Sequence, residues 1–245
     1  MVLRRNLLLG TVSAALSLGI PTGFTLRLHR SPRREPNLTS EHLQKLAVLG
    51  LRRPRVLFVG NSMVLKHQVP RLVANIAAKE GIEIGFASAA AYGARLVETY
   101  RIPELKRLLR PEDWDSVVLQ DFTKTPLRGL DRLGSAYAID QLAQGFEPGR
   151  IVLYPPVPAI DQSSVYEDAG PFTRTPLNPG EFGELTMLHY SNIAKNNGYR
   201  VSPVPVQWLV SSTPEFYSID GHHPNEAGAQ FIACILWQTI REALR

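Results

Sequence analysis

The chain has 245 residues, enough for one sizeable α/β domain with a tail, and its composition is ordinary: 44% hydrophobic, 20% charged and 8% aromatic, with a mean hydropathy of −0.09. These values exclude a disordered chain, a polytopic membrane protein and a fibrous rod. The single cysteine, Cys234, excludes an intramolecular disulfide and a Cys-rich zinc site. The formal net charge of +5 would suit a nucleic-acid or anionic-membrane partner if it lay on the folded domain.

The positive charge is instead concentrated at the N-terminal end. Residues 1–55 contain ten Lys or Arg and two Asp or Glu, a local net charge of +8, whereas the remaining residues have a net charge of −3. Because the body of the protein is slightly acidic, a basic nucleic-acid-binding domain is disfavoured. We therefore expect no nucleic-acid partner.

The first 30 residues have the layout of an export signal. Arg4 and Arg5 precede an uncharged, modestly apolar stretch from Leu7 to Leu26, which is also long enough to cross a bilayer as an uncleaved anchor. The arginine pair weakly resembles a twin-arginine signal. We predict a signal peptide or N-terminal membrane anchor over 1–30, an exported protein (periplasmic or extracellular), and no other membrane contact. A buried N-terminal helix in a cytoplasmic protein is the alternative.

Residues 31–54 have the composition of a basic linker. They are polar and punctuated by proline, with one short amphipathic helix predicted from Glu41 to Leu49. The folded domain is predicted to span 55–245.

Within 55–245, short β-rich runs alternate with helical patterns. This alternation predicts an α/β fold, a three-layer α/β/α sandwich around a parallel sheet of about five strands in flavodoxin-like order. Ligands bind at the carboxyl ends of such strands, so the loops there are the places to expect chemistry. Strands are predicted at 55–60, 82–88, 115–120, 150–156 and 199–206. Helices are predicted at 68–80, 133–144, 181–197 and 225–244, and a further helical segment, interrupted at Pro103, follows the second strand's loop and ends at 109.

The first of these loops contains a candidate nucleophile. Ser62 follows the first strand in the run Val59-Gly60-Asn61-Ser62 and precedes helical sequence. Helix N-terminal amides favour developing negative charge, which suits a serine whose carbonyl adduct becomes an oxyanion. A simple turn with a helix cap is the alternative interpretation.

The last loop contains a candidate base and its partner. Asp220 and His223 are three residues apart in Asp-Gly-His-His-Pro, before a helix that Asn225 can cap. A serine nucleophile needs a base, and the base needs an orienting carboxylate, which this pair can supply. The alternatives are a surface turn with two solvated histidines, or a zinc site at His222 and His223, for which the sequence offers no second ligand cluster.

The motifs VLFVGNS, AAAYGARL, VVLQ and DGHHPNEAGA, in this order on an alternating α/β pattern, together resemble the SGNH (GDSL-type) serine hydrolase family. The resemblance implies that Ser62 is the nucleophile, His223 the base and Asp220 the orienting carboxylate. It also implies an oxyanion hole that includes the amides of Ser62 and Gly93, and a simple loop glycine is the alternative interpretation of Gly93.

The third motif departs from the family pattern. The usual Gly-x-Asn-Asp, whose asparagine donates to the oxyanion, is replaced by Gln120-Asp121-Phe122-Thr123. Gln120 offers the same amide donor on a longer arm and is the predicted third donor. A structural role for Gln120, with Thr123 or another group completing the hole, is the alternative.

The resemblance implies hydrolysis of an ester in two steps through an acyl-enzyme, without a metal or organic cofactor. The expected substrate is a small-molecule or carbohydrate ester. Two alternatives stay open: an acyltransferase that passes the acyl group to a sugar hydroxyl, and a binding protein that keeps the fold without turnover.

Overall fold

The computed structural model describes residues 54–161, 163–166 and 178–245. The predicted signal peptide or anchor over 1–30, and all but the last residue of the predicted linker over 31–54, lie outside the described residues and stay predictions. Among the described residues, no helix combines the length and the apolar character needed to cross a membrane.

Five parallel strands form one sheet in the order β2-β1-β3-β4-β5. This is the flavodoxin-like order, and every described neighbour is parallel, so the predicted fold class is confirmed. The strands are β1 (Arg55–Gly60), β2 (Gly85–Ala90), β3 (Ser116–Leu119), β4 (Ile151–Leu153) and β5 (Arg200–Val201).

Helices cover both faces of the sheet because successive strand side chains point to opposite sides. Val56 and Phe58 on β1 pack with α2 and α8, whereas Leu57 and Val59 pack with helices α3 to α6 on the other face. All four side chains are fully buried. The described helices are α1 (Ser62–Leu65), α2 (Val69–Lys79), α3 (Leu96–Thr99), α4 (Pro103–Leu108), α5 (Gly129–Ala143), α6 (Pro179–Asn197), α7 (Val204–Ser211) and α8 (Glu226–Ala243).

The predicted fifth strand over 199–206 is wrong for most of its length. Only Arg200–Val201 pairs with β4, and the chain then enters helix α7. Pro203 and Pro205 have no amide hydrogen to donate to a strand ladder, whereas proline is well tolerated in the first turn of a helix. The fifth strand is therefore shorter than the apolar run indicates. The residues after 206, predicted to form a loop at the end of this strand, belong to helix α7.

The carboxyl ends of β1, β2 and β3 are neighbours in the sheet. The loops that follow them therefore meet at one edge, as expected for a parallel sheet. These three loops and the turn before α8 carry all the predicted site residues.

Candidate active site

Ser62 is the first residue of α1 and is separated from β1 by the single residue Asn61. Asn61 caps the helix with its side-chain oxygen. At Gly60, a Cβ atom would lie 2.7 Å from Val64 Cγ2 and 2.8 Å from Gln120 Oε1, too close for any side chain. The sharp turn from strand to helix therefore depends on this glycine, and it presents Ser62 at the edge of the sheet.

Asp220 and His223 lie on a tight loop closed by backbone hydrogen bonds. The amide of Ser218 donates to the carbonyl of His223 at 2.8 Å, and the amide of Gly221, whose φ is +63°, donates back to the carbonyl of Ser218 at 2.9 Å. Asn225 caps α8, which begins directly after the loop. The carboxylate and the imidazole are thus held by one local unit, as the sequence spacing predicts.

The three predicted catalytic side chains lie within hydrogen-bond distance of one another. His223 Nε2 is 2.9 Å from Ser62 Oγ, and His223 Nδ1 is 2.8 Å from Asp220 Oδ2. When Nδ1 carries the proton and donates to Asp220, Nε2 is left as an acceptor for the Ser62 hydroxyl. This is the arrangement that general-base activation of a serine requires.

The Asp220 carboxylate accepts four hydrogen bonds. Oδ1 accepts from the amides of His222 and His223 at 3.0 and 2.9 Å, and Oδ2 accepts from His223 Nδ1 and from Lys66 Nζ, the latter at 3.2 Å. Burial raises the pKa of Asp220, but these hydrogen bonds outweigh it and hold the pKa well below its usual range. Asp220 is therefore ionised at neutral pH and can stabilise a positively charged imidazole.

The two residues whose amides are predicted to form the oxyanion hole, Ser62 and Gly93, lie on loops that follow neighbouring strands. Gly93 lies in the loop after β2 with φ +70°, and the carbonyl of the next residue, Ala94, accepts a hydrogen bond from Asn61 Nδ2 at 3.2 Å. This bond ties the Gly93 loop to the turn that carries Ser62. Within the described part of the chain, neither the Ser62 amide nor the Gly93 amide donates to another group.

The side chain of Gln120, the predicted third oxyanion donor, is buried directly after β3. Its side chain is 0% exposed, Oε1 accepts a hydrogen bond from the Asn61 amide at 3.1 Å, and Nε2 donates to the carbonyl of Asp121. Both ends of the side-chain amide are occupied by backbone groups, because the longer arm folds back along the strand ends. Gln120 therefore braces the turn before Ser62, and these contacts favour the structural role that the sequence left open as the alternative to a third oxyanion donor.

A second buried polar side chain fastens the same loops. Asp121, 1% exposed, accepts hydrogen bonds from the amide of Leu96, at the start of α3, and from the amide of Phe122. Burial raises the pKa of Asp121. The loops after β2 and β3 are thereby joined directly, as Asn61 joins the loops after β1 and β2.

Sequence reasoning gave His222 and Thr123 little weight, but both lie beside the triad. Thr123 Oγ1 is 3.5 Å from His222 Nε2, and the His222 ring packs edge-on against His223 with ring centroids 4.7 Å apart. Burial, reinforced by neighbouring basic groups, lowers the pKa of His222 to about 4, so the ring is neutral at neutral pH. The alternative of two solvated histidines does not describe this half-buried ring. In the described ranges, no group of three or more His, Cys, Asp or Glu side chains is placed to bind a metal.

Solved structures share the fold of this chain. No protein-family model and no curated protein matches the chain, whereas 38 chains of solved structures do. One, described as "a putative SGNH hydrolase from Slackia heliotrinireducens", is 23% identical with a TM-score of 0.64, over 77% of this chain and 100% of that one. The lipase/acylhydrolase from Enterococcus faecalis is 16% identical with a TM-score of 0.59, over 77% and 96%. The psychrotrophic esterase EstA from Pseudoalteromonas sp. is 13% identical with a TM-score of 0.56, over 77% and 97%. The chain has the fold of the SGNH hydrolases, and the resemblance predicted from the motifs is confirmed for the fold.

The contacts of Gln120 predict that Gln120→Met lowers stability. The variant leaves the buried Asn61 amide without its acceptor, so we expect the free energy of unfolding to fall by about 1–3 kcal/mol in urea titrations. The exposed Gln207 on α7 is the matched control, and Gln207→Met should stay within about 0.5 kcal/mol of the parent chain. A Gln120→Met chain of unchanged stability that loses about 10²–10³-fold in turnover of an activated ester would restore the oxyanion role.

The lowered pKa of His222 predicts a loss of stability in mild acid. A histidine titrates near 6.5 in the unfolded chain, whereas burial lowers the pKa of His222, and also that of His189, to about 4 in the folded chain. The unfolded state therefore binds more protons below pH 6.5, and the stabilisation present above that pH is lost as the pH falls toward 4. Between pH 7 and pH 5 we expect each histidine to cost on the order of 1–2 kcal/mol.

Unfolding at several pH values tests this expectation. His222→Gln and His189→Gln should each flatten the dependence of the free energy of unfolding on pH between 7 and 5. A variant whose pH dependence matches that of the parent chain would show that its histidine titrates normally in the folded protein.

Proposed function

We propose that this chain is a serine hydrolase that cleaves an ester by two-step acyl transfer, with Ser62 as nucleophile, His223 as base and Asp220 as the orienting carboxylate. The observation that supports it most directly is the line of two short contacts, 2.9 Å from Ser62 Oγ to His223 Nε2 and 2.8 Å from His223 Nδ1 to Asp220 Oδ2. Three side chains from two distant parts of the sequence meet in the order of nucleophile, base and carboxylate that nucleophilic catalysis needs.

In the first step, His223 Nε2 removes the proton from Ser62 Oγ as that oxygen attacks the ester carbonyl. The amides of Ser62 and Gly93 donate to the oxyanion that develops. The protonated His223, stabilised by the Asp220 carboxylate, then gives its proton to the departing alcohol. An acyl-enzyme on Ser62 remains.

In the second step, water takes the place of the alcohol. His223 accepts a proton from water as it attacks the acyl carbonyl, and returns that proton to Ser62 Oγ when the acid is released. The proposed cycle uses the three side chains, the two backbone amides and water. The proposed substrate is a small-molecule or carbohydrate ester, met outside the cytoplasm if the N-terminal segment acts as the predicted export signal.

Removal of the nucleophile is the primary test of the function. Ser62→Ala should reduce hydrolysis of a short activated ester to the background rate, and a fluorophosphonate probe should label Ser62 in the folded parent chain. Ser211, exposed at the end of α7, is the matched control, and Ser211→Ala should keep full activity and labelling. Full activity in Ser62→Ala, or no labelling of the folded parent chain, would refute the proposal.

The competing acyltransferase and binding functions predict different products. We expect acyl release at the same rate with and without a sugar acceptor, because water is the proposed acceptor. Product formed only when the sugar is present would establish transfer. Binding of an ester without any release or probe labelling would establish a binding protein.

A further inference from the structure

Lys66 closes a ring of interactions around the proposed active site. Its backbone amide donates to the carbonyl of Ser62, and its Nζ lies 3.2 Å from Asp220 Oδ2. From Asp220 Oδ2 the ring continues to His223 Nδ1 and from His223 Nε2 back to Ser62 Oγ. The lysine therefore joins the nucleophile's helix to the carboxylate that orients the base.

The backbone directly after Lys66 is strained. His67 has φ 54° and ψ 16°, and Gln68 has φ 52° and ψ 54°. They are the two non-glycine residues with positive φ in the part of the chain that the structure describes. The left-handed conformation costs free energy for residues with a Cβ, and such strain is concentrated at functional sites. Helix α1 ends at Leu65, and Lys66 is its C-terminal cap residue, with ψ 133°, so the lysine lies between the helix terminus and the strained pair and contacts Asp220.

The chemistry of this contact differs from that of an ordinary surface ion pair. The side chains of Lys66 and Asp220 are 30% and 42% exposed, and ion pairs so exposed contribute little to stability. However, Lys66 binds Oδ2, the same oxygen that accepts from His223 Nδ1. The ammonium group thus shares the acceptor on which the orientation of the base depends.

We propose that Lys66 is a positioning residue of the hydrolase proposed above: it fixes the Asp220 carboxylate against His223 and, by its charge, disfavours a long-lived proton on the His223 ring. The inference rests on the proposed function. The first effect keeps Nε2 directed at Ser62 Oγ. The second speeds the return of the proton to the leaving alcohol.

Other ionisable groups lie near this ring of interactions and affect how the charge of the site changes with pH. On the same loop, His222 packs against His223 and is neutral above about pH 5 because burial lowers its pKa to about 4. On the loop after β3, Lys124 acts electrostatically on His222, and its Nζ donates to the carbonyl of Ser164. Among the described groups, Lys66 is the cation in direct contact with Asp220.

Lys66→Met tests the proposal because it keeps the length of the side chain and removes the charge. We expect kcat for an activated ester to fall about tenfold with KM changed less than about twofold, since the carboxylate loses a fixed partner but the substrate site is intact. The midpoint of the acidic limb of the kcat/KM profile should move upward by roughly 0.5 pH unit, because the imidazolium is no longer opposed by a neighbouring positive charge. Lys66→Arg, which restores the charge, should recover most of kcat and the parent pH profile.

Arg241 provides the matched control. It pairs with Glu80 at 2.9 Å across α8 and α2, with side chains 40% and 41% exposed, away from the sheet edge that carries the site. Arg241→Met should leave kcat and the pH profile unchanged. A Lys66→Met chain with parental kcat and pH profile, or one that melts at a lower temperature while keeping both, would overturn the positioning role. Either result leaves the proposed function intact, because that function is tested separately by the activity of Ser62→Ala and by probe labelling of the parent chain.

Discussion

The hydrogen bond from the buried Asn61 amide to Gln120 Oε1 joins the carboxyl ends of two neighbouring parallel strands, and the rest of the site depends on it. Asn61 Nδ2 then binds the loop after β2, and Asp121 binds that loop from the other side. These groups are buried, so removing the partner of any one of them would leave an unsatisfied polar group and lower the stability of the folded protein. The network holds three loops in one arrangement, and the amides of Ser62 and Gly93 lie on two of those loops.

Two different kinds of structure contribute to the proposed triad. Asp220 and His223 are placed by a short loop whose hydrogen bonds are local, so their mutual distance depends little on the rest of the fold. Ser62 is placed by the sheet, through Gly60 and the end of β1. Lys66 links the two, because its backbone amide binds the carbonyl of Ser62 and its side chain binds the carboxylate of Asp220.

The features that the sequence predicted well are those encoded within a short window. Apolar runs alternating with helical patterns predicted the five-stranded parallel sheet, because strands buried on both faces need continuous apolar sequence. The contact between Asp220 and His223 was predictable because the two residues are only three positions apart on one loop. The contacts of Gln120 could not be predicted because its partners are backbone groups, which leave no trace in residue type, and Lys66 was missed because its partner lies 154 positions away. The apolar run after β5 was misjudged because Pro203 and Pro205 favour a helix start over a strand.

The contact between His223 and Ser62 joins residues 161 positions apart, near the two ends of the folded domain. Helix α2 follows the short helix α1 that begins at Ser62, α8 follows the His223 loop, and α2 and α8 pack together on one face of the sheet. Formation of this contact closes a loop of nearly the whole domain, which carries an entropy cost that the local contact between Asp220 and His223 does not carry. The acid–base pair can therefore assemble in a partly folded chain, whereas a reactive Ser62 exists only once the first and last elements of the domain have met. Labelling of the serine thus reports closure of the entire sandwich rather than local order, and a chain released before α8 is synthesised would carry nucleophile, base and carboxylate without the helix that packs against α2.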